Sequence, residues 1–231
     1  MTNPLEFKYL VRRAWCAGVL LVLACGANPD TDDAAPAPTA PLPTAGLAGQ
    51  RVSVFPLTLV AAEDSLHWEQ RLAPRSASLA QADSVIAELL PGRAPEVTWV
   101  PPDELRRAAR RGAGIAVAPD QMGTSLLRAP GMTDVPDPLR SQMRTLTALA
   151  GTGRYALVPA ALVFRKAKAG EGGRGRAEGA ASAGLATAEL TVVMVDVRLG
   201  KVGFQTIARG EGDDPWTALT RAVKALTPGL P

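Results

Sequence analysis

The sequence predicts an α/β domain in which a single mixed β-sheet of about five strands is packed by about four helices. Apolar residues make up 47% of the 231 residues and charged residues 20%, which is enough apolar material for a sizeable core. From residue 51 onward the apolar pattern follows the order β-α-β-α-α-β-β-β-α. Helices separate the early strands, whereas the last three strands are consecutive, and this combination favours a mixed sheet covered by helices.

The first part of the domain alternates strands with a helix. An apolar, β-rich run over 52–60 predicts the first strand, and a shorter run over 96–100 predicts the second. Residues 78–90 predict a helix because apolar side chains recur at helical spacing, and Pro91-Gly92 follows as a stop signal. The apolar positions of this helix are Leu79, Ala82, Ile86 and Leu89.

Two further helices are separated by an aperiodic segment. Pro101-Pro102-Asp103 opens a helix that extends to Arg111. Residues 112–136 show no clear period, which is unusual for a connection inside a compact domain. Asp137-Pro138 then opens a helix that ends at Gly151, with Asp137 as the N-cap and Pro138 at the first helical position.

Three consecutive strands and a last helix complete the domain. The strands are predicted over 155–164, 187–198 and 201–209. Pro159 marks a bulge or a sheet edge, and Leu199-Gly200 is the turn of a hairpin. A glycine-rich segment over 168–184 is predicted to be a flexible connector, and Asp214-Pro215 caps the last helix.

The N-terminus is typical of an export signal. Three basic residues precede an apolar run from Ala14 to Ala24. As a helix this run would span about 16 Å, which is too short to cross a bilayer core of about 30 Å. A positive start followed by a short apolar run predicts a secretory signal peptide over 1–24.

The apolar run ends in Val22-Leu23-Ala24-Cys25, which resembles the bacterial lipobox. The resemblance implies that a diacylglyceryl group is attached to the Cys25 thiol, that the chain is cleaved before Cys25, and that the new amine is acylated. Such acyl chains would anchor the protein to the membrane permanently, since each buried CH₂ contributes about 0.8 kcal/mol. A cleaved signal peptide with an incidental cysteine and a retained N-terminal anchor are the alternatives.

Residue counts and charge exclude several classes of site. The chain has two cysteines and one histidine, too few for a disulfide framework or a multi-ligand zinc site. Its net charge is +3, and cleavage before Cys25 would remove most of that surplus. A nearly neutral mature protein argues against nucleic-acid binding, which needs a dominant positive field. We therefore expect no nucleic-acid partner, no metal and no cofactor.

The segment after Cys25 is predicted to be a disordered tether that extends to residue 50. It is rich in proline and alanine and has no aromatic residue, so it cannot bury enough apolar surface to offset the entropy of ordering. As polyproline II, at about 3.1 Å per residue, it would reach roughly 75 Å from the membrane. The chain thus divides into a signal peptide over 1–24, a lipidated tether over 25–50 and an α/β periplasmic domain over 51–231.

Loose motifs along residues 51–227 resemble a family of envelope domains. Val54-Phe55-Pro56 is similar to the end of the family's first strand, and residues 153–158 are similar to the start of its central strand. Asp196 followed by Gly200 resembles its Asp-x-x-x-Gly hairpin. The family includes the N-terminal domain of TolB, the curli-secretion lipoprotein CsgG and the LpoB-type activator of peptidoglycan synthase. The resemblance implies protein–protein binding in the envelope and brings no catalytic residue.

No catalytic residue is predicted from the motifs either. His67 could pair with Glu63 or Glu69, but neither a Gly-x-Ser-x-Gly elbow nor a Ser-x-x-Lys motif accompanies it. Glu211-Gly212-Asp213-Asp214 could hold a cation, yet a turn followed by an N-cap explains it more simply. The glycines at 170–179 lack the Lys-Ser/Thr ending of a phosphate loop.

Arginines on the second predicted helix form the patch that we single out as a partner-binding site. They are Arg106, Arg107, Arg110 and Arg111. At about 100° per residue they lie within about 140° of arc, on the side opposite the apolar residues of the helix. Such a patch could bind an acidic partner, lipid head groups or an anionic polymer, and a merely solvated face is the alternative.

The aperiodic segment over 112–136 is the second candidate surface. Its apolar residues either pack on the sheet or form an adaptable contact surface. These residues are Met122, Leu126, Leu127 and Met132.

The sequence as a whole predicts a non-enzymatic, lipid-anchored protein of the cell envelope whose domain binds another envelope protein. Gly26 stands where an aspartate retains lipoproteins in the inner membrane of some bacteria, so we expect the outer membrane, facing the periplasm. A small-ligand or anionic-polymer binding domain, with the basic helix as its site, is the alternative, followed by an enzyme of unrecognised type. No feature indicates an oligomeric state.

Overall fold

The computed structural model describes residues 39–167 and 185–229, which form a mixed β-sheet with helices on both of its faces. The predicted α/β fold is confirmed, since the main sheet has six strands and four α-helices pack on it. The strands are β1 (Ala40–Pro43), β2 (Arg51–Val54), β3 (Val60–Ala62), β4 (Thr98–Val100), β5 (Tyr155–Lys166), β6 (Ala186–Asp196), β7 (Lys201–Gly212) and β8 (Leu226–Gly229). The helices are α1 (Arg75–Arg93), α2 (Pro102–Arg111), α3 (Leu139–Leu149) and α4 (Pro215–Ala225).

The main sheet combines a parallel half and an antiparallel half. Its strand order is β4-β2-β5-β6-β7, and β3 continues beyond β2 along the same edge of β5. β2 is parallel to β4 and β5, whereas β5, β6 and β7 form an antiparallel ladder. Parallel neighbours need long crossover connections and antiparallel neighbours do not, so the pairing follows from the order of elements along the chain.

Alternating side chains of the sheet supply two separate cores. In β6, Val192 and Met194 belong to the core beneath α1 and α4, whereas Val193 and Val195 belong to the core beneath α2 and α3. Successive side chains of a strand point to opposite faces, so the same strand contributes to both cores. Because both faces are covered, the central strands are continuous apolar runs in the sequence.

The first predicted strand is interrupted, and β2 and β3 are separated by residues 55–59. Pro56 has no N–H group to donate. Leu57 donates its N–H to the Asp83 carboxylate at 2.8 Å instead of to β5. Pro159 of β5 lies beside this interruption, at a shift of the β5–β6 register, where a missing donor is tolerated. The bulge predicted at Pro159 is therefore present.

The hairpin and the last helix cap also follow the prediction. Gly200 completes the turn between β6 and β7 with a φ of +72°, a conformation that favours glycine. In the same turn the Leu199 N–H donates to the Asp196 carboxylate at 3.0 Å. Asp214 caps α4, because its side chain accepts hydrogen bonds from the N–H groups of the second and third helical residues.

The folded domain starts earlier than the predicted boundary at residue 51. The sequence assigns residues 40–50 to the disordered tether, but β1 lies within that range and pairs in parallel with β8. Leu42 and Leu47 are buried in the core beneath α1 and α4. The composition of residues 40–50 gives no sign of a strand, because the strand that pairs with β1 comes from the other end of the chain.

Two helices differ from the prediction at their ends. α1 includes Pro91, which removes one backbone donor but leaves the preceding turns intact, and the Ala94 N–H still donates to the Leu90 carbonyl at 3.0 Å. α3 begins after Pro138, and Asp137 accepts a hydrogen bond from the Ser141 hydroxyl rather than from a helical N–H. Asp137 is therefore not the N-cap.

Several predictions concern residues that lie outside the described ranges. They are the signal peptide, the lipidated Cys25, the part of the tether before residue 39 and the connector over 168–184. Within 39–167 and 185–229, no helix has the length and apolar character needed to cross a membrane.

Candidate partner-binding surface

Helix α2 carries the arginine patch predicted from the sequence. Its buried face contains Leu105, Ala108 and Ala109. Its exposed face contains Arg107, Arg110 and Arg111. At about 100° per residue, Arg106 lies at the border between these two faces, and its side chain is only 20% exposed.

Arg106 is engaged by carboxylates on three sides. Its Nη2 atom lies 2.5 Å from Asp83 Oδ2 and 2.6 Å from Asp120 Oδ1, and its Nη1 atom lies 2.9 Å from Asp103 Oδ1. Asp83 belongs to α1 and Asp120 to a short 3-10 turn after α2, so the guanidinium connects α2 to two other elements. The charge of Arg106 is therefore neutralised within the domain.

Asp83 is the residue of this cluster that the sequence analysis missed. It is buried and accepts hydrogen bonds from the Leu57 N–H and the Arg106 guanidinium. Burial raises the pKa of Asp83 to about 6, although both hydrogen bonds favour the charged carboxylate. Hydrogen bonds to Asp120, and then to Asp83, raise the pKa of Arg106 above its usual value. The sequence did contain a signal for the burial of Asp83. Asp83 directly follows Ala82 and precedes Ile86 by three positions, so it lies next to the apolar face of α1.

The other three arginines keep their charge at the surface. Arg107 lies 3.9 Å from Glu104 and is 57% exposed. Among the residues that the structure describes, Arg110 and Arg111 form no ion pair. Basic residues in the last turn of a helix interact favourably with its dipole, which offsets part of their mutual repulsion.

Two exposed apolar side chains lie near the C-terminal end of α2. Ile115 is 74% exposed and Leu149 is 37% exposed. Both border Gly112 at the end of α2. The Ile115 N–H donates to the Gly112 carbonyl at 2.9 Å, and a Cβ atom on Gly112 would lie 2.6 Å from Leu149 Cδ1. We use the name α2 surface for the set Arg107, Arg110, Arg111, Ile115 and Leu149.

The segment over 112–136 is packed against the domain. Most of its apolar residues contribute to the core beneath α2 and α3, namely Met122, Leu127 and Met132. Leu126 is the exception, with 58% of its surface exposed. Gln205 of β7 also donates to the Leu127 carbonyl at 3.3 Å. Of the two interpretations of this segment, packing on the sheet is the one that the structure supports.

The structure does not bring the residues of the other candidate sites, around His67 and Asp214, into a catalytic or metal-binding arrangement. His67 is exposed, and Glu63, its possible partner, is bound instead by Arg165 and by the Lys166 N–H. Asp214 serves as a helix cap, as the simpler interpretation of its acidic run predicts. Across the described ranges, no group of three or more His, Cys, Asp or Glu side chains is placed to hold a metal ion. The glycines at 170–179 lie outside those ranges.

No protein family and no curated protein matches the chain. Similar solved structures include the C-terminal domain of LpoB from Salmonella enterica, at 13% identity and a TM-score of 0.35, covering 71% of this chain and 83% of that chain. The PelC dodecamer from Paraburkholderia phytofirmans is 13% identical, with a TM-score of 0.31 and coverages of 78% and 89%. LpoB from E. coli is 12% identical, with a TM-score of 0.29 and coverages of 91% and 90%. The weak resemblance to LpoB predicted from the sequence motifs is thus confirmed.

Proposed function

We propose that the chain is a lipid-anchored cell-envelope protein whose domain acts as a non-enzymatic protein-interaction module in the periplasm. The α2 surface is the observation that carries this proposal. It combines three exposed arginines with two exposed apolar side chains near the C-terminal end of α2, and among the described residues Arg110 and Arg111 form no ion pair. Arginine is enriched at protein interfaces, and the buried centre of an interface is more apolar than the rest of a protein surface.

The charge of the α2 surface specifies the chemistry of the partner. Arg107, Arg110 and Arg111 would attract a partner with acidic side chains, and such charges mainly accelerate association and select the correct partner. Ile115 and Leu149 would then be covered by apolar groups of that partner. We therefore expect an envelope protein with an apolar patch bordered by aspartate or glutamate.

The Arg106 cluster supports the same surface from inside the domain. By binding Asp83 and Asp120, Arg106 fixes α2 relative to α1 and to the following 3-10 turn. A surface that is held in place before binding loses less conformational entropy when the partner binds. In the proposal, Arg106 is a positioning residue and the other three arginines make the contacts.

The proposed anchor is the lipid on Cys25. The lipobox-like run before Cys25 supports it, and the proline-rich segment that follows would give the domain reach into the periplasm. Gly26 directly after the cysteine supports placement in the outer membrane.

Crosslinking in the native host tests the interaction. The tagged full-length protein is crosslinked in cells, and its partners are identified by mass spectrometry. We expect one specific envelope protein to be recovered, and recovery to fall about tenfold or more when Arg110→Glu and Arg111→Glu reverse two surface charges. The matched control is Arg128→Glu with Lys224→Glu, which changes the net charge equally on other elements. Equal recovery with both double variants would refute the role of the α2 surface.

The same preparation tests the anchor. Cys25→Ser removes the thiol that would receive the lipid, so we expect the protein to leave the membrane fraction. An unchanged distribution between fractions would show that Cys25 is not the anchor. The interaction can then still be judged from the arginine variants alone.

The exposed arginines also support the alternative function, binding of an anionic polymer along α2. In that case an anionic polysaccharide would raise the melting temperature of the purified protein. Arg110→Glu with Arg111→Glu would abolish the shift. A melting temperature that does not change with the polymer excludes this alternative.

A further inference from the structure

A second group of arginines surrounds a shallow pocket of about 220 Å³ at the end of α3. The last turn of α3, the turn that leads into β5 and the residues after β6 form its walls. Three of the lining residues are arginines, namely Arg144, Arg154 and Arg198. The lining contains no acidic residue. The pocket uses none of the residues of the α2 surface.

Only one of these three positive charges is compensated. Arg154 donates from Nε to Asp196 Oδ2 at 2.6 Å, and its guanidinium lies 5.3 Å from the centre of the Tyr155 ring. These two contacts hold Arg154 in place. Within the described residues, Arg144 and Arg198 form no ion pair and donate no side-chain hydrogen bond. Two exposed arginines without a partner in the described structure therefore line the same small volume.

The helix end beneath the pocket offers little opposition to an anion. The last carbonyl groups of a helix carry partial negative charge, which would repel an anionic ligand. Here they already accept hydrogen bonds. The Thr147 carbonyl receives both the N–H and the hydroxyl of Thr152 at 3.1 Å, and the Leu146 carbonyl receives the Ala150 N–H at 2.9 Å.

We infer that this pocket binds the phosphate group of a small phosphomonoester. A phosphate dianion matches the two free guanidinium groups in charge, and its three oxygens suit the forked donors of arginine. A carboxylate has half that charge and fewer acceptor positions. About 220 Å³ is below the roughly 300–1,000 Å³ of pockets for complete drug-sized ligands, so the rest of the molecule would project into solvent.

Calorimetric titration of the purified full-length protein in detergent tests this inference. The probes are glycerol 3-phosphate, inorganic phosphate and acetate at constant ionic strength, which keeps screening equal. We expect one saturable site for both phosphates, with acetate bound about tenfold more weakly or worse. Binding that is equal for phosphate and acetate, or that never saturates, would overturn the inference.

Charge-neutral variants locate the site. Arg144→Gln with Arg198→Gln should weaken glycerol 3-phosphate binding about tenfold or more, because both free donors are lost. The matched control, Arg128→Gln with Arg140→Gln, removes the same charge outside the pocket and should change binding less than about twofold. Equal weakening in the two double variants would show a non-specific charge effect and would refute the site. Thermal melting of each variant verifies folding, and Arg198→Gln alone replaces the double variant if that variant does not fold.

Discussion

Two aspartate–arginine pairs in this domain look alike and behave in opposite ways. Asp83 binds Arg106 between α1 and α2, and Asp196 binds Arg154 at the β6–β7 turn. Both aspartates are nearly buried, and each also accepts a backbone N–H, at 2.8 Å and 3.0 Å respectively. Burial raises the pKa of Asp83 to about 6. Burial acts in the same direction on Asp196, but the hydrogen bonds from Arg154 and the Leu199 N–H outweigh it and hold its pKa below the usual value.

Desolvation by burial is the largest influence on the pKa of Asp83, and the surroundings of the two arginines add to the difference between the aspartates. The Arg106 side chain is 20% exposed and is shared with Asp103 and Asp120, and the nearby Asp120 charge also disfavours ionisation of Asp83. Arg154 is 45% exposed, and its one carboxylate partner is Asp196 among the described residues. A buried ion pair is therefore not stabilising by its mere presence, since desolvation competes with the attraction.

The largest expected effect comes from removing the Asp83 carboxylate. Asp83→Ala should lower the free energy of unfolding by about 3–5 kcal/mol, because the Leu57 N–H and part of the Arg106 charge lose a buried partner. Urea unfolding at pH 7 measures the loss. The control is Asp103→Ala, which removes an exposed carboxylate from the same arginine and should cost less than about 1 kcal/mol. Similar losses of unfolding free energy in Asp83→Ala and Asp103→Ala would show that the buried carboxylate matters no more than the exposed one.

The second prediction concerns the pH dependence that Asp83 confers. Its pKa is higher in the folded state than in the unfolded chain, so its contribution to stability is complete below about pH 4 and is lost as the pH rises through about 6. The unfolding free energy of the wild type relative to Asp83→Asn should therefore fall by roughly 2 kcal/mol from pH 4 to pH 7. Urea titrations across that range measure the difference. A constant or rising difference would show that Asp83 ionises normally.

Asp196 should show the opposite sign with a smaller amplitude. Its folded-state pKa is lowered, so its contribution is present above about pH 4 and is lost as the pH falls through the folded-state pKa. Asp196→Asn should cost about 1–2 kcal/mol at pH 7, and this cost should shrink in acid. The two aspartates do not differ as described if the stability differences between the wild type and Asp83→Asn and between the wild type and Asp196→Asn change with pH in the same direction.

The smallest change in stability is expected from replacing Arg154, the more exposed of the two paired arginines. Arg154→Gln should leave the midpoint of urea unfolding almost unchanged, because a partly exposed pair is screened by solvent. Carboxyl NMR titration should nevertheless show the pKa of Asp196 moving upward, since its main favourable hydrogen bond is gone. A pKa that stays low in this variant would assign the effect to the turn N–H instead.

Features with a local signal could be predicted from the sequence. Gly200 marks its hairpin because the turn requires a positive φ, and Asp214 marks the start of α4 because its side chain bonds the adjacent N–H groups. The arginine face of α2 likewise follows from helical spacing. These features depend on residues within one turn of each other.

The features that escaped prediction depend on distant partners. Ala40–Pro43 resembles an extended linker, and only its pairing with Leu226–Gly229 makes it a strand. Similarly, nothing near Arg106 in the sequence indicates that Asp83 binds it from another helix. Burial of a polar side chain is decided by tertiary packing, so the split of the arginine patch into one internal and three external residues required the structure.

The parallel pairing of β1 with β8 gives the domain a mechanical property. Ala40 lies beside Leu226 and Pro43 beside Gly229, so the first and last strands of the domain run side by side. In a tethered protein, tension would act on the four residues of β1 before it reaches the main sheet. Release of residues 40–50 would add about 35 Å of chain and leave the six-stranded sheet in place. The short ladder, and not the six-stranded sheet, would then be the part of the domain that first responds to a pull at residue 40.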